Sequence, residues 1–167
     1  PPAIADRIAD IPTFFGLNLF DPRSVVLTNE NFGIVDRMAH WFAAWNMFAD
    51  FPWLGVGIGN YGVVYPNYGL REWPFSLGHA HNFYLNMLAE SGLIGLVFYL
   101  VLVASALGYA WTVARRSVGI WRVVALGALG ALVAMTAHNL FDNLYVHGMN
   151  IQFAFLMGVL ATLRAER

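Results

Sequence analysis

The stretch that decides the fold is GLIGLVFYLVLVASALGYAWTV, residues 92–113, which runs for 22 residues without a charged side chain. The hydrocarbon core of a bilayer is about 30 Å thick, and a helix needs about 20 apolar residues to cross it. The stretch therefore predicts a membrane-spanning helix. The composition agrees, because 59% of the 167 residues are hydrophobic and 11% are charged, whereas a soluble domain carries about 25% charged residues.

Two more apolar stretches follow. Residues 123–141, VVALGALGALVAMTAHNLF, are rich in the small side chains that let membrane helices approach closely. Residues 144–163, LYVHGMNIQFAFLMGVLATL, are polar in their first half. The sequence therefore predicts an all-α integral membrane protein with three transmembrane helices, at about 92–113, 123–141 and 144–163. Residues 1–91 form a loop segment with short amphipathic helices, and residues 164–167 form a tail.

Basic residues indicate the orientation. The ends of the predicted spans carry five arginines, Arg115, Arg116, Arg122, Arg164 and Arg167, whereas the turn at residues 142–147 carries none. Because short cytoplasmic loops are enriched in Lys and Arg, the arginine ends and the tail are predicted to be cytoplasmic, and residues 1–91 extracytoplasmic. The start, PPAIADRIAD, lacks the pattern of a signal peptide. We expect earlier spans to precede it in a longer protein, and this fragment to be inactive alone.

Within the loop segment, residues 36–50, DRMAHWFAAWNMFAD, predict an amphipathic helix. One face would carry a cation and three aromatic rings, Arg37, Trp41, Trp45 and Phe48. Asp36 is expected at the N-cap or in the first turn, and Pro52 just beyond the end. The following GVGIGNYG lacks the strand–helix–strand context of a dinucleotide site. With a formal net charge of −1, the chain has no basic surface for nucleic acid.

Residues 78–95, GHAHNFYLNMLAESGLIG, hold the most suggestive polar groups. His79 and His81 are two residues apart, and a short helix is expected from His81 or Asn82 to a bend at Ser91–Gly92. A His-x-His pair can ligate a metal. The sequence has no HExxH, no cysteine and no nearby pair of aspartates, so we predict no metal. His81 is therefore either a catalytic group or an interfacial histidine at the start of a helix.

Three elements, in this order, resemble the O-antigen ligase and polymerase family of bacterial membrane glycosyltransferases. The first is an arginine that opens a Trp-containing helix, RMAHWFAAW from Arg37, followed by Pro and Gly in FPWLGVGIGNY. The second is His81-Asn82, nine residues FYLNMLAES, and then Gly92-Leu-Ile-Gly95. The third is the topology of a large extracytoplasmic loop before the last spans. The resemblance covers residues 33 to 163.

The resemblance implies a metal-independent, GT-C-like, all-helical glycosyltransferase without a cofactor, multi-pass in the bacterial cytoplasmic (inner) membrane. It would transfer a glycan from an undecaprenyl-pyrophosphate carrier to a hydroxyl of a lipid or glycan acceptor at the outer face, among membrane lipids. His81 would act on the acceptor and Arg37 would hold the pyrophosphate. A second arginine of the family would be Arg7, Arg23 or a residue before this chain. Ligases, polymerases and protein oligosaccharyltransferases share these motifs, so the acceptor stays open.

The residue types suit this chemistry. A guanidinium makes bidentate, charged hydrogen bonds to phosphate, and an imidazole exchanges a proton near neutral pH. Five further side chains are candidates for substrate binding: Arg71, Asn82, His79, Trp41 and Asp142. Each also has a structural interpretation, such as a headgroup-binding charge for Arg71, interfacial packing for Trp41 and a wetted helix end for Asp142. Asp142 or His147 would orient His81 or the acceptor, and Glu90 is either an orienting partner or a surface acid.

An alternative function is that of a non-enzymatic polysaccharide transporter or a membrane subunit of an assembly complex. A transport path predicts charged pairs or broken helices inside the spans. The first two predicted spans contain no Asp, Glu, Lys or Arg, and their one histidine is His138. The sequence therefore favours the enzyme.

Overall fold

The computed structural model describes residues 22–29 and 31–165, and this part of the chain contains helices and no strand. The five α-helices are α1 (Phe32–Asp50), α2 (Tyr61–Val64), α3 (Phe83–Arg116), α4 (Gly119–His138) and α5 (Met149–Ala165). Three short 3-10 helices lie at Pro22–Ser24, Tyr65–Asn67 and Leu144–His147. The prediction of an all-helical fold is confirmed for the described residues. The expectations for Arg7 and for the end of the tail fall outside them.

Helix α3 is kinked at Gly92, which has φ 64° and ψ −166° inside an otherwise helical segment. The kink takes backbone N–H groups out of the helical ladder, and carbonyls of the loop after α1 accept from them. Leu93 N donates to Pro52 O at 2.8 Å and Ile94 N donates to Trp53 O at 3.4 Å. The bend that the sequence predicts at Ser91–Gly92 is confirmed.

The same loop also binds the segment of α3 before the kink. Val56 N donates to Ala89 O at 2.8 Å, and Gly57 N donates to Glu90 O at 2.9 Å. A Cβ on Gly55 would lie 2.3 Å from the carbonyl carbon of Glu90, so the two backbones touch. Residues 51–57 therefore clamp α3 on both sides of its kink.

Helix α1 begins at Phe32, and its N-cap residue is Asn31. The turn before it is fixed by two reciprocal hydrogen bonds: Thr28 N donates to Asn31 Oδ1 at 2.8 Å, and Asn31 N donates to Thr28 Oγ1 at 3.2 Å. Asp36 consequently lies in the second turn. The prediction that Asp36 caps this helix or lies in its first turn is wrong, because the preceding turn starts the helix one turn earlier.

Helix α1 packs through a face of alanine, methionine, valine and histidine side chains. Its buried residues are Val35, Met38, Ala39, His40, Ala43, Ala44 and Met47. Ala43, Ala44 and Met47 form one core with Tyr61, Tyr65, Ala80 and Ala89. Trp45, on the predicted aromatic face, is 47% exposed. The alanines let α3 and the loops lie close to the α1 backbone, while Trp45 faces outward.

Helices α3, α4 and α5 form a second packing unit around small and branched side chains, among them Ala110, Ala128, Leu132 and Leu160. Most of the apolar surface of α3 and α4 remains outside this core, since only 22% of the most apolar window of each helix is buried. Both helices are long and apolar enough to cross a membrane. A core helix of a soluble protein would be mostly buried, so lipid is the natural solvent for these faces.

The bounds of the apolar helices differ from the predicted spans. Helix α3 continues to Arg116, and α4 runs from Gly119 to His138, so residues 139–141 lie beyond its end. Leu144–His147 form a 3-10 helix, Gly148 is left-handed with φ 75°, and α5 starts at Met149. Helix α5 has 17 residues, about 25 Å at 1.5 Å per residue. A third span stays a prediction.

The start of α3 is tied to the end of α4 by Asn82, as expected for the helix start. Its Oδ1 caps the helix by accepting from Leu85 N at 3.0 Å, and its Nδ2 donates to Leu140 O at 2.8 Å. Phe83 N donates to Asn139 O at 2.9 Å, and Asn139 is fully buried. The loop after α4 is thereby held against the loop before α3.

Gly92→Ala is expected to destabilise the protein strongly. A Cβ there would lie 2.3 Å from the Trp53 carbonyl carbon, and the left-handed backbone itself costs a non-glycine residue about 1–2 kcal/mol. Gly108→Ala in the same helix is the matched control, because a Cβ there meets nothing within 4 Å. Thermal unfolding midpoints in detergent should fall for the first variant and hold for the second. Equal midpoints would contradict the clamp.

Asn82→Ala is expected to lose both the cap and the tie to Leu140, at a cost of about 1–2 kcal/mol. Asn82→Asp keeps the capping oxygen but loses the donor, so its unfolding midpoint should fall between those of the wild type and the alanine variant. Asn67→Ala, at an exposed position, is the control and should melt like the wild type. An Asp variant as stable as the wild type would show that the bond to Leu140 contributes nothing.

Candidate active site

His81 lies in the loop immediately before α3 in a conformation that is unusual for its residue type. Its φ is 49°, the only positive φ of a non-glycine residue in the described part of the chain. Two hydrogen bonds hold the backbone there: Trp41 Nε1 donates to His81 O at 3.3 Å, and His81 N donates to His79 Nδ1 at 3.2 Å. Such strained residues cluster at functional sites.

Two carboxylates flank the His81 ring, one for each nitrogen. Nδ1 is 3.4 Å from Asp142 Oδ1, and Nε2 is 3.9 Å from Asp36 Oδ2. Asp36 comes from α1, whereas Asp142 comes from the loop after α4, 61 residues after the histidine. The hydrogen bonds at the Gly92 kink hold α1, which carries Asp36. The hydrogen bonds of Asn82 hold the loop after α4, which carries Asp142. Both sets of contacts therefore place a carboxylate beside this ring.

Asp142 is held in its charged form. Burial raises the pKa of its carboxyl, but the backbone N–H of Asn143, the His81 side chain and the charges of His81 and Arg37 lower it, and the net shift is downward. Asn143 N donates to Asp142 Oδ1 at 2.8 Å.

Arg37 lies near enough to this cluster for its charge to contribute to the lowered pKa of Asp142. Its Nη1 donates to Gly33 O at 2.8 Å, one turn earlier in the helix, and the side chain is half-buried. A guanidinium has five N–H donors in a planar fork. The contact with Gly33 orients that fork and leaves donors for a ligand.

His79 completes a group of three possible metal ligands. Atoms of His79, His81 and Asp142 all lie within 4.8 Å of one another. Two imidazoles and a carboxylate suit a divalent transition metal. The prediction of no metal was based in part on the lack of a pair of aspartates near the histidines in sequence, and the fold supplies one carboxylate, Asp142, from far along the chain. His79 Nδ1, however, already accepts from His81 N. The absence of a metal stays a prediction.

The remaining predicted residues are placed differently. Arg71 lies exposed in a turn and makes no hydrogen bond or ion pair with the described residues. Arg23 lies over the ring of Phe42, 5.2 Å from its centroid. Glu90 Oε1 accepts from Tyr61 N at 3.0 Å, so it holds the start of α2 and does not orient His81. The side chain of His147 is outside the described part.

Sequence reasoning missed His40, which is 1% exposed. Its Nδ1 is 2.9 Å from Asp36 O, and its Nε2 accepts from Leu77 N at 3.4 Å. The ring stacks on Tyr65 at 5.0 Å and meets His81 edge-on at 5.4 Å. Burial lowers the pKa of His40. The i,i+4 spacing of Asp36 and His40 was the available signal, but many helices carry such pairs.

Comparison with known proteins supplies the family. Residues 8–100 match the sequence profile of a family described as O-antigen ligase, more than half of the 167 residues. The match spans Arg37, the His81 loop and the Gly92 kink, and it ends before Asp142. No curated protein and no solved structure matches the chain. The matched family consists of bacterial inner-membrane proteins that act in polysaccharide biosynthesis. The chain therefore belongs to the O-antigen ligase family.

Proposed function

We propose that the protein transfers a glycan from an undecaprenyl-pyrophosphate carrier to an acceptor hydroxyl, with His81 accepting the proton of that hydroxyl. The observation that carries the proposal is the strained His81 between two carboxylates, with Arg37 nearby. In the reaction, the acceptor oxygen forms a bond to C1 of the sugar, and the bond from C1 to the pyrophosphate oxygen breaks. The proton of the acceptor moves to the imidazole, and the lipid pyrophosphate leaves with the bonding electrons.

Arg37 is the proposed contact for the leaving pyrophosphate. Guanidinium–phosphate bonds are charged and often bidentate. Stabilisation of developing negative charge by one such donor is worth about 10²–10³ in rate. The hydrogen bond from Arg37 to Gly33 O fixes the guanidinium against α1 before the substrate arrives. That pre-orientation reduces the cost of reorganisation when charge develops.

The two ends of α3 support a placement of the site relative to the membrane. The His81 loop precedes the first turn of α3, whereas Arg115 and Arg116 lie in its last turn. The part of α3 after Gly92 is about 36 Å long at 1.5 Å per residue, enough to cross the hydrocarbon core. We propose that the arginines lie in the cytoplasm and the site at the outer face. The exposed apolar surface of α3 then runs beside the polyprenyl tail of the donor.

The hydrogen bonds of three predicted substrate-binding residues support positioning roles for them. The Trp41 indole donates to the backbone of His81, His79 accepts from that backbone, and both amide atoms of Asn82 bind other parts of the chain. We propose that these residues set the His81 loop. Arg71, exposed in its turn, is proposed to contact phosphate groups of lipids or of the donor.

His81→Ala is expected to lower the rate of transfer in the full-length protein in proteoliposomes by about 10²–10⁴, the usual contribution of a general base. Arg37→Ala is expected to lower it by about 10²–10³, and Arg37→Lys should restore only part of the loss, since an ammonium lacks the bidentate fork. Product formation from a polyprenyl-pyrophosphate glycan is the measurement. Arg122→Ala, at the opposite end of the apolar helices, is the control. Wild-type rates for His81→Ala in folded protein would refute the proposal.

The transfer is also proposed to need no metal. Treatment with a chelator should leave the rate unchanged, because positioning and charge from Arg37 and His81 supply the catalysis. The control is addition of Zn²⁺, which would occupy the His79, His81 and Asp142 ligands and inhibit. Loss of activity on chelation, with recovery on addition of one divalent ion, would instead favour a metal site at this cluster.

A further inference from the structure

The loop after α1 exposes apolar side chains and carries no charge. Phe51, Trp53, Leu54 and Ile58 are exposed, Leu54 to 71% and Ile58 to 85%. Residues 51–70 contain no Asp, Glu, Lys, Arg or His. Exposed apolar patches of folded proteins mark contacts with a membrane or with another protein. The surface of this loop is therefore suited to a partner and not to bulk water.

The hydrogen bonds at the kink of α3 hold this loop against the start of the apolar run. Leu93 N donates to Pro52 O and Ile94 N donates to Trp53 O, so Trp53 lies level with the first residues of the proposed span. The side chains of Leu93 and Ile94 are themselves exposed. The exposed apolar surface of the loop therefore adjoins the exposed apolar surface of α3, for which lipid is the natural solvent.

Tryptophans lie at both ends of the apolar part of α3. Trp53 is beside Ile94 at one end, and at the other end the exposed ring of Trp111 lies 5.9 Å from the guanidinium of Arg115. The rise along the helix from Ile94 to Trp111 is about 26 Å at 1.5 Å per residue. Tryptophan is enriched at both membrane–water interfaces, and the hydrocarbon core between them is about 30 Å thick. The spacing therefore matches one tryptophan at each interface.

The backbone of the loop is hydrogen-bonded in a way that suits a poorly hydrated environment. Gly55 N donates to Phe51 O at 2.9 Å, and Asn60 N donates to Gly57 O at 3.1 Å. Val56 N and Gly57 N donate to carbonyls of α3, and Asn60 Nδ2 donates to Val56 O at 3.1 Å. Backbone groups without partners are costly in lipid, because no water replaces the lost hydrogen bonds. These bonds reduce that cost for the loop.

We propose that residues 51–58 insert into the membrane at the boundary between the lipid headgroups and the acyl chains, with Trp53, Leu54 and Ile58 as the anchoring side chains. The partner is a lipid surface that is recognised by apolar burial and by the indole of Trp53, not by charge. The inference uses α3 as a span and does not depend on the transfer reaction. Because the loop is bonded to α3 on both sides of the kink, its insertion fixes the height of the His81 loop above the lipid.

The test places a fluorescent label on Leu54→Cys or Ile58→Cys, as the single label of the full-length protein in vesicles of neutral phosphatidylcholine. A doxyl group near the top of the acyl chain quenches a label at the boundary, whereas iodide quenches a label in water. Asn29→Cys, an exposed polar position before α1, is the matched control. We expect the doxyl lipid to quench the loop labels about twofold more than the control label, since an interfacial segment lies about 5–10 Å into this boundary. Iodide should show the reverse order.

A charge in the loop provides a second measurement. Leu54→Asp, in the protein labelled at Ile58→Cys, should reduce quenching by the doxyl lipid to about half and raise quenching by iodide, because a charged carboxylate resists transfer out of water. Asn29→Asp adds the same charge before the other end of α1 and should change neither. Because these side chains are exposed, the unfolding midpoints of all the variants should stay near that of the wild type.

The two quenchers separate lipid from the other possible surroundings of the loop. Iodide quenching equal to that of the Asn29→Cys label, without quenching by lipid, would place the loop in water and overturn the inference. Shielding from both quenchers would show that another part of the full-length protein covers the loop, and would overturn it as well. Either result leaves the proposed function standing if His81→Ala is inactive. Wild-type transfer by His81→Ala, with strong quenching by lipid, would remove that function and leave the inserted loop in place.

Discussion

The break in α3 at Gly92 is the constraint on which the rest of the structure depends. A bend takes backbone N–H groups out of the helical ladder, and a buried group of this kind without a partner is costly. Here Leu93 and Ile94 donate to carbonyls of Pro52 and Trp53. Because that loop follows directly from α1, satisfying the kink fixes α1 beside the first part of α3, with its alanine side inward.

A second tie completes the site from the other direction. The side chain of Asn82 caps α3 and reaches the loop after α4, while buried Asn139 accepts from the backbone of Phe83. The kink thus positions Asp36 and this tie positions Asp142, so the two carboxylates that flank His81 depend on different parts of the fold. The left-handed backbone of His81 is held between them.

Features set by residues close together in the sequence could be predicted, whereas contacts between residues far apart in the sequence could not. The uncharged run at residues 92–113 predicted the apolar part of α3. The residue types of Asn82 and Gly92 predicted where this helix starts and where it bends. The start of α1 was mispredicted, because the reciprocal Thr28–Asn31 turn leaves a weaker pattern than an acid before an apolar run. The meeting of His81 with Asp142 has no local signature at all, since 61 residues separate them and only tertiary packing joins them.

The charges at the site limit where the proposed pyrophosphate donor could bind. Asp36 and Asp142 carry two formal negative charges and Arg37 one positive charge, while His40 is held neutral and His81 must start neutral to act as a base. A pyrophosphate brings more negative charge, and like charges 4 Å apart repel by about 4 kcal/mol at an effective dielectric constant of 20. These charges support binding of the proposed donor phosphates on the side of Arg37 away from the carboxylates. In the proposed reaction, an imidazolium at His81 would reduce the excess negative charge but would not remove it. The proposed mechanism therefore calls for a further cation near the leaving group, the role that the family resemblance gives to a second arginine.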